Sequence, residues 1–227
     1  MEKAIKRYFP IFVLPTMIAF TLGFIIPFVE GVYLSFCKFT TVNDAKFIGF
    51  ANYAKVFADE TFVHAFWYTA AFTVVSVILI NVLAFAVALL LTKGFKGTNI
   101  FRTVFFMPNL IGGIVLGYVW KFVFNRAFVA LGKSLSVGAL STSWLATTNG
   151  AMACLIIVSV WQYAGYMMLI YVAGFMSVSK SLMEAAQIDG CTKTQATINV
   201  TIPLMRSSFV QCLFLTITRC FMVYDVN

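Results

Sequence analysis

The sequence predicts an all-α polytopic bundle of about five membrane-spanning helices, with a short helix in the loop before the last span. Three features lead there. Of 227 residues, 61% are hydrophobic and 11% charged, against roughly 45–50% apolar and about 25% charged in soluble domains. The apolar residues gather in long runs, and a helix needs ~20 of them to cross the hydrocarbon core. The basic residues sit near the ends of those runs, as juxtamembrane lysines and arginines do. A helix satisfies its own backbone polar groups, so it is the spanning element such runs allow.

Lys3, Lys6 and Arg7 precede the first run. A secretory leader has an apolar core of about 7–15 residues and a small-residue cleavage site. The run here covers 8–28 with no such site after it, so an uncleaved first span over 11–32 is expected, interrupted by Pro15 and Pro27. A polar loop of mixed charge follows over 37–64. The second span, 65–91, holds one strongly polar side chain, Asn81. The third, 104–124, has Pro108, Asn109 and the pair Gly112-Gly113 near its start. A Ser-, Thr- and Gly-rich loop with Trp144 occupies 125–150. The fourth span, 151–175, carries Gln162 in its middle, and the fifth, 204–223, carries Thr216, Thr218 and Arg219 toward its far end. A loop over 176–203 joins these two. No internal repeat is visible, and residues 1–227 read as one transmembrane domain.

The formal charge of +8 raises nucleic acid as a partner. The basic residues are dispersed rather than clustered with aromatics, which argues against it. An N-inside orientation puts Lys3, Lys6, Arg7, Lys93, Lys96, Arg102, Lys180, Lys193 and Arg206 in the cytoplasm. Lys38, Lys46, Lys55, Arg126 and Lys133 then fall in the outer loops, so the positive-inside bias favours this orientation. It places Trp67, Tyr68 and Trp120 near the outer membrane face. Cys37, Cys154, Cys191, Cys212 and Cys220 form no CxxC pair, and neither a disulfide framework nor a metal site is expected.

The loop before the fifth span has the most specific local chemistry. Ser181 followed three residues later by Glu184 fits a capping box. Gly190 supplies a left-handed stop. A helix of about two turns results, with Leu182, Ala185, Ala186 and Ile188 as an apolar stripe and Glu184, Gln187 and Asp189 polar. A second helical stretch is expected over 192–202, with Pro203 opening the next span. On these grounds alone the segment could equally be an amphipathic helix lying on the membrane.

Polar groups inside spans are candidate solute-path residues. Asn81, Asn109 and Gln162 qualify, and Trp161, Tyr163 and Tyr166 surround Gln162 with aromatic faces. The competing use is interhelical hydrogen bonding and aromatic packing. Arg219 either snorkels outward or faces the path, and His64 is expected at the surface.

Glu184-Ala185-Ala186, then Asp189-Gly190, then Thr201-Ile202-Pro203-Leu204, resembles the EAA loop of bacterial ABC importer permeases of the carbohydrate-uptake, maltose-transporter type. Phe47-Ile48-Gly49-Phe50-Ala51-Asn52-Tyr53 is similar to that family's first outer loop. Phe101-Arg102-Thr103-Val104-Phe105-Phe106-Met107-Pro108 is similar to the start of its third span, and Arg219-Cys220-Phe221-Met222-Val223-Tyr224-Asp225 to the end of its fifth. The resemblance implies a permease subunit of an ATP-driven sugar importer in the bacterial inner membrane. Its implied partners are a second permease subunit, ABC ATPase subunits and an extracellular solute-binding protein, with no cofactor and no ATPase site of its own. It assigns ATPase coupling to Glu184, Ala185, Ala186, Asp189, Gly190 and Pro203, with Glu184 either contacting the ATPase cleft or holding the loop through its cap. The sequence departs from the family at Cys191, where alanine is usual, and at Thr194 and Thr197, where bulky aromatics are frequent. Family members commonly continue into a sixth span, so a C-terminally shortened chain is expected.

Other classes fit less well. An ion-gradient-driven secondary transporter, the alternative reading, usually shows a carboxylate inside a span. Glu30 is the one acid near that depth, and it lies close to a span end. An intramembrane enzyme needs convergent catalytic side chains, and a nucleotide-binding protein needs a Gly-rich phosphate loop. The sequence offers neither.

Overall fold

A computed structural model describes residues 2–94, 96–138 and 142–223. Tyr224 and Asp225 of the fifth-span motif lie outside the described residues. Four described helices are long and apolar enough to cross a membrane, or five if one bent pair counts as a single span. The chain divides into two compact units, one up to Trp67 and one from Tyr68 onward.

In the first unit α1 (Glu2–Phe20) continues through a π-helical stretch, Thr21–Ile25, into α2 (Ile26–Ser35). The prolines do not interrupt the span. Pro27 lies in the first turn of α2, and just before it Ile26 N–H reaches back five residues to Thr21 O. The wider turn takes up the place where proline cannot donate. Phe20, Phe24 and Phe28 stack along one stripe, with centroids 5.1 and 6.1 Å apart.

The expected loop after this span is ordered. Strands β1 (Cys37–Lys38) and β2 (Lys46–Phe47) form an antiparallel hairpin that pairs Lys38 with Lys46. Asp44 Oδ1 accepts from Thr40 N–H at 3.0 Å and Thr41 N–H at 2.8 Å, closing the turn. Gly49, at φ +63, allows the sharp exit into α3 (Ala51–Ala58). Asn52 donates to the Ser35 and Cys37 carbonyls at 3.0 and 2.8 Å, and Tyr53 and Ser35 hydroxyls lie 2.7 Å apart. The 47–53 motif is therefore the clasp that holds the hairpin to the end of α2. Helix α4 (Glu60–Leu91) then starts at Asp59, whose carboxylate accepts Thr61 N–H at 2.8 Å.

The second unit packs α4, α8 (Thr148–Ser177) and α12 (Arg206–Phe221) around one core that includes Ile80, Ala84, Met167, Met168, Tyr171 and Cys212. Two hydrogen bonds give the relative direction of α4 and α8. Tyr68 donates to Thr148 O at 2.8 Å, and Tyr171 donates to Asn81 Oδ1 at 2.8 Å. Later residues meet later residues, so the two helices run the same way. Helix α12 runs opposite, since Gly174 meets Ser208 while Met167 O accepts from Cys212 Sγ nearer the other end. The C-terminal ends of α4 and α8 therefore lie on one side of this unit.

Two expected spans are corrected. The third does not run through 104–124. Helix α5 (Thr98–Phe106) ends in a 3-10 turn, Met107–Leu110, and extended backbone at Ile111 and Gly112 separates it from α6 (Gly113–Phe122). Pro108 removes a backbone donor, and Gly112 and Gly113 weaken helix continuation, so the crossing starts later. It continues through a π-helical stretch, Val123–Ala127, into α7 (Phe128–Ser134). The fifth is bent. Pro203 lies inside α11 (Ile202–Leu204), and the axis turns by 66° at Met205 before α12. At 16 residues, α12 alone is shorter than the ~20 a crossing needs.

Candidate functional site

Helix α9 (Lys180–Ile188) is present, but its start differs from expectation. The N-cap is Ser179, not Ser181, and no side chain caps the first turn; the Ser179 and Ser181 hydroxyls bond each other at 2.6 Å. Glu184 therefore takes no part in a capping box. The stop is as expected. Gly190 has φ +84, Cys191 N–H reaches Ala186 O at 3.0 Å, and Gly190 N–H reaches Gln187 O at 3.1 Å. This double bond pattern is a Schellman motif.

The capping box lies one turn later. Thr192 Oγ1 accepts from Gln195 N–H at 3.3 Å, and Thr192 N–H donates to Gln195 Oε1 at 2.8 Å, starting α10 (Lys193–Ala196). The Thr-x-x-Gln pattern carries this signal in the sequence. A π-helical stretch, Thr197–Thr201, then leads into α11 and the bend.

Of the apolar stripe expected on α9, Ala186 alone is buried, while Leu182, Ala185 and Ile188 are exposed. Ala186 is buried and Met183 half-buried, with Thr201 Oγ1 donating to Met183 Sδ at 3.2 Å. The seat beneath is the lead-in to α12, where Ala196 and Met205 are also buried. Spacing of three residues puts Met183 and Ala186 on one side of the helix. Ile188 is 86% exposed and Leu182 47% exposed, beside exposed Glu184, Ala185 and Asp189. Pro203 is exposed too. The Gly190 turn ends the helix, and among the described residues an apolar and acidic face is left exposed.

The candidate path residues fall into two places. Asn81 sits at a three-helix junction, accepting from Tyr171 and donating to Val77 O at 2.8 Å and Thr216 Oγ1 at 3.0 Å. Its polar groups are taken up by bonds between α4, α8 and α12. Asn109 is half-buried in the 3-10 turn that packs on α8. Gln162, buried on α8, donates to Ile111 O at 3.4 Å across the helix break, and among the described residues its Oε1 has no partner. Tyr166 meets Phe106 with centroids 6.3 Å apart, and Trp161 stands edge-on to Trp120 at 5.4 Å. Gly165 permits the contact of α5 with α8, because a Cβ there would lie 1.7 Å from Phe105 O. Nearby, a cleft of about 460 Å³ runs between α6 and the start of α8, lined in part by Tyr118, Trp120, Lys121, Phe124, Cys154 and Val158.

Residues 81–224, which include the α9 loop and the helix break, match the family described as binding-protein-dependent transport system inner membrane component. The chain belongs to this family. The permease is 37% identical over 217 residues to the probable starch degradation products transport system permease protein of Thermoanaerobacterium thermosulfurigenes, covering 96% of this chain and 74% of that relative. It is 28% identical to the multiple sugar-binding transport system permease protein of Streptococcus mutans, covering 99% and 78%. In fold it is similar to a chain of a bacterial ABC transporter that imports the acidic polysaccharide alginate, with a TM-score of 0.79, 22% identity and coverage of 97% and 76%. A second structure of a bacterial alginate ABC transporter, bound to a periplasmic protein carrying an alginate pentasaccharide, gives a TM-score of 0.74 at 20% identity, covering 95% and 74%. This chain is an importer permease subunit, and the secondary-transporter alternative is set aside.

Proposed function

We propose that this permease carries a carbohydrate through the bacterial inner membrane, powered by an ABC ATPase that docks on α9. Sugar systems among the relatives support the substrate class. The observation that carries the coupling role is the free face of α9, with Ile188 and Leu182 exposed beside Glu184 on a helix whose other face is seated on the lead-in to α12. An ATPase cleft that grips this face would move α9, the π-helical stretch and the bend at Met205 together. The Asn81–Tyr171–Thr216 junction would pass that motion to α4 and α8. Gly190 and Thr192 fix the junction between α9 and α10 within this lever. The lever has no nucleotide chemistry of its own; ATP is hydrolysed by the partner.

In this reading the N-terminus is cytoplasmic, and the solute path runs along the break at 107–112. A buried amide oxygen without a donor is costly. Gln162 Oε1 is such a group, and a sugar hydroxyl would satisfy it while Trp161 and Tyr166 offer ring faces. Asn109 completes the polar edge. A second permease subunit closes the path, and an extracellular solute-binding protein delivers the sugar.

The test is uptake of labelled maltodextrins and other oligosaccharides by cells expressing the complete system. Ile188→Asp sits on solvent-exposed surface, so the chain should insert normally and lose both ATP-driven uptake and co-purification with the ATPase. Undiminished uptake by Ile188→Asp and by Glu184→Lys would remove α9 from the coupling path.

A further inference from the structure

The hairpin after the first span poses an electrostatic problem. Lys38 and Lys46 are directly opposed in its antiparallel ladder, so both side chains project from the same face. Like charges placed this way are destabilising. Among the described residues no carboxylate pairs with either. Asp44, the one acid of the hairpin, is turned into the loop and occupied by the Thr40 and Thr41 N–H groups. Asp59 caps α4. Lys55, on α3, is likewise exposed and unpaired.

The same element displays unusual apolar surface. Phe50 is 74% exposed and Phe47 66%, both against the Phe36 ring, whose centroid lies 5.3 Å from Phe50 and 6.4 Å from Phe47; Phe57, on α3, is 72% exposed. The hairpin begins two residues after the span Ile11–Ser35 ends. That attachment holds it at the membrane surface, where aromatic side chains favour the headgroup level.

We infer that this hairpin and α3 form a lipid-binding foot that stands edge-on at the interface and captures the phosphate of an anionic phospholipid between Lys38 and Lys46 on one face of the ladder, with Phe47 set into the interface from the other. The ligand class follows from the chemistry. A phosphate oxyanion relieves the opposed ammonium groups, and the exposed phenyl rings need an apolar neighbour that water does not supply. Lysine near an anionic membrane surface contributes enough for roughly a fivefold change in partitioning each. The inference concerns the first unit alone and does not depend on the coupling role of α9.

Full-length protein would be placed in nanodiscs of phosphatidylcholine with or without 30% phosphatidylglycerol, and amide exchange followed over residues 38–47. Phosphatidylglycerol should slow exchange several-fold in the wild type and in Lys38→Arg/Lys46→Arg, but not in Lys38→Ser/Lys46→Ser. Native mass spectrometry should show preferential retention of phosphatidylglycerol lost in the serine variant. Unchanged exchange in α8 would show that the serine variant is folded. Equal exchange in both lipids, or protection gained only on adding a solute-binding protein whatever the lipid, would overturn the inference and make the hairpin a protein dock or a bare turn.

Discussion

Asn81 was readable as a polar group in a span, yet its spacing left open whether it faced solute or helix. The geometry settles its bonding: one amide ties three helices. Interhelical hydrogen bonds in membranes average about 0.6 kcal/mol and reach about 1.7. Asn81→Leu should therefore cost about 1–2 kcal/mol in unfolding from micelles or bicelles. A double-mutant cycle with Tyr171→Phe should return a coupling of at least about 0.5 kcal/mol; additive losses would show the bond to be idle. At Gly165 no side chain fits without separating α5 from α8, so Gly165→Leu should reduce the folded yield sharply, whereas the same change at Gly31, where no described atom lies within 4 Å of the added carbon, should not. Asp44 gives a pH prediction. Two backbone N–H groups hold its carboxyl below the ordinary value of 3.8. Its contribution is present above 3.8 and lost as pH falls through the lower folded value, because protonation then removes the acceptor charge. Hairpin amide protection should hold at pH 5 and decline only in strongly acidic buffer. A decline already complete at pH 5 would contradict the assignment.

Among elements, α9 shows what local chemistry specifies and what it leaves open. Gly190 and the helix length were legible, because a left-handed residue after a short helical pattern has few other uses. The N-cap is Ser179, two residues before the Ser181 that the capping-box pattern points to. Ser179 and Ser181 offer similar hydroxyls, and the pre-helical turn geometry picks between them only in three dimensions. Hydropathy marks Leu182, Ala185, Ala186 and Ile188 as one stripe, but only Ala186 is buried, together with half-buried Met183, because the lead-in to α12 approaches that side. Gly190→Ala should destabilise the loop by about 1 kcal/mol, and Thr192→Ala should cost a similar amount through the lost cap. Limited proteolysis between 188 and 196 would detect either as faster cleavage. A rate equal to wild type would mean that packing alone holds the segment.

For the whole molecule, relative sidedness in the second unit follows from the hydrogen bonds between parallel α4 and α8. A cysteine at Lys96 and one at Gln187 should react with an impermeant maleimide from the same side in sealed vesicles, in a background with native cysteines replaced. Labelling from opposite sides would contradict the parallel arrangement. Composition and run length were enough to establish an all-α membrane protein, and local turn chemistry a stopped helix before α12. Those properties are local or follow from bilayer solvation, so linear order carries them. The break at 107–112, the bend at Met205, the three-helix bond at Asn81 and the free face of α9 depend on which surface of each helix meets another. Such contacts form between residues far apart along the chain, and hydropathy does not distinguish an apolar face against lipid from one against protein. Tertiary packing made that choice.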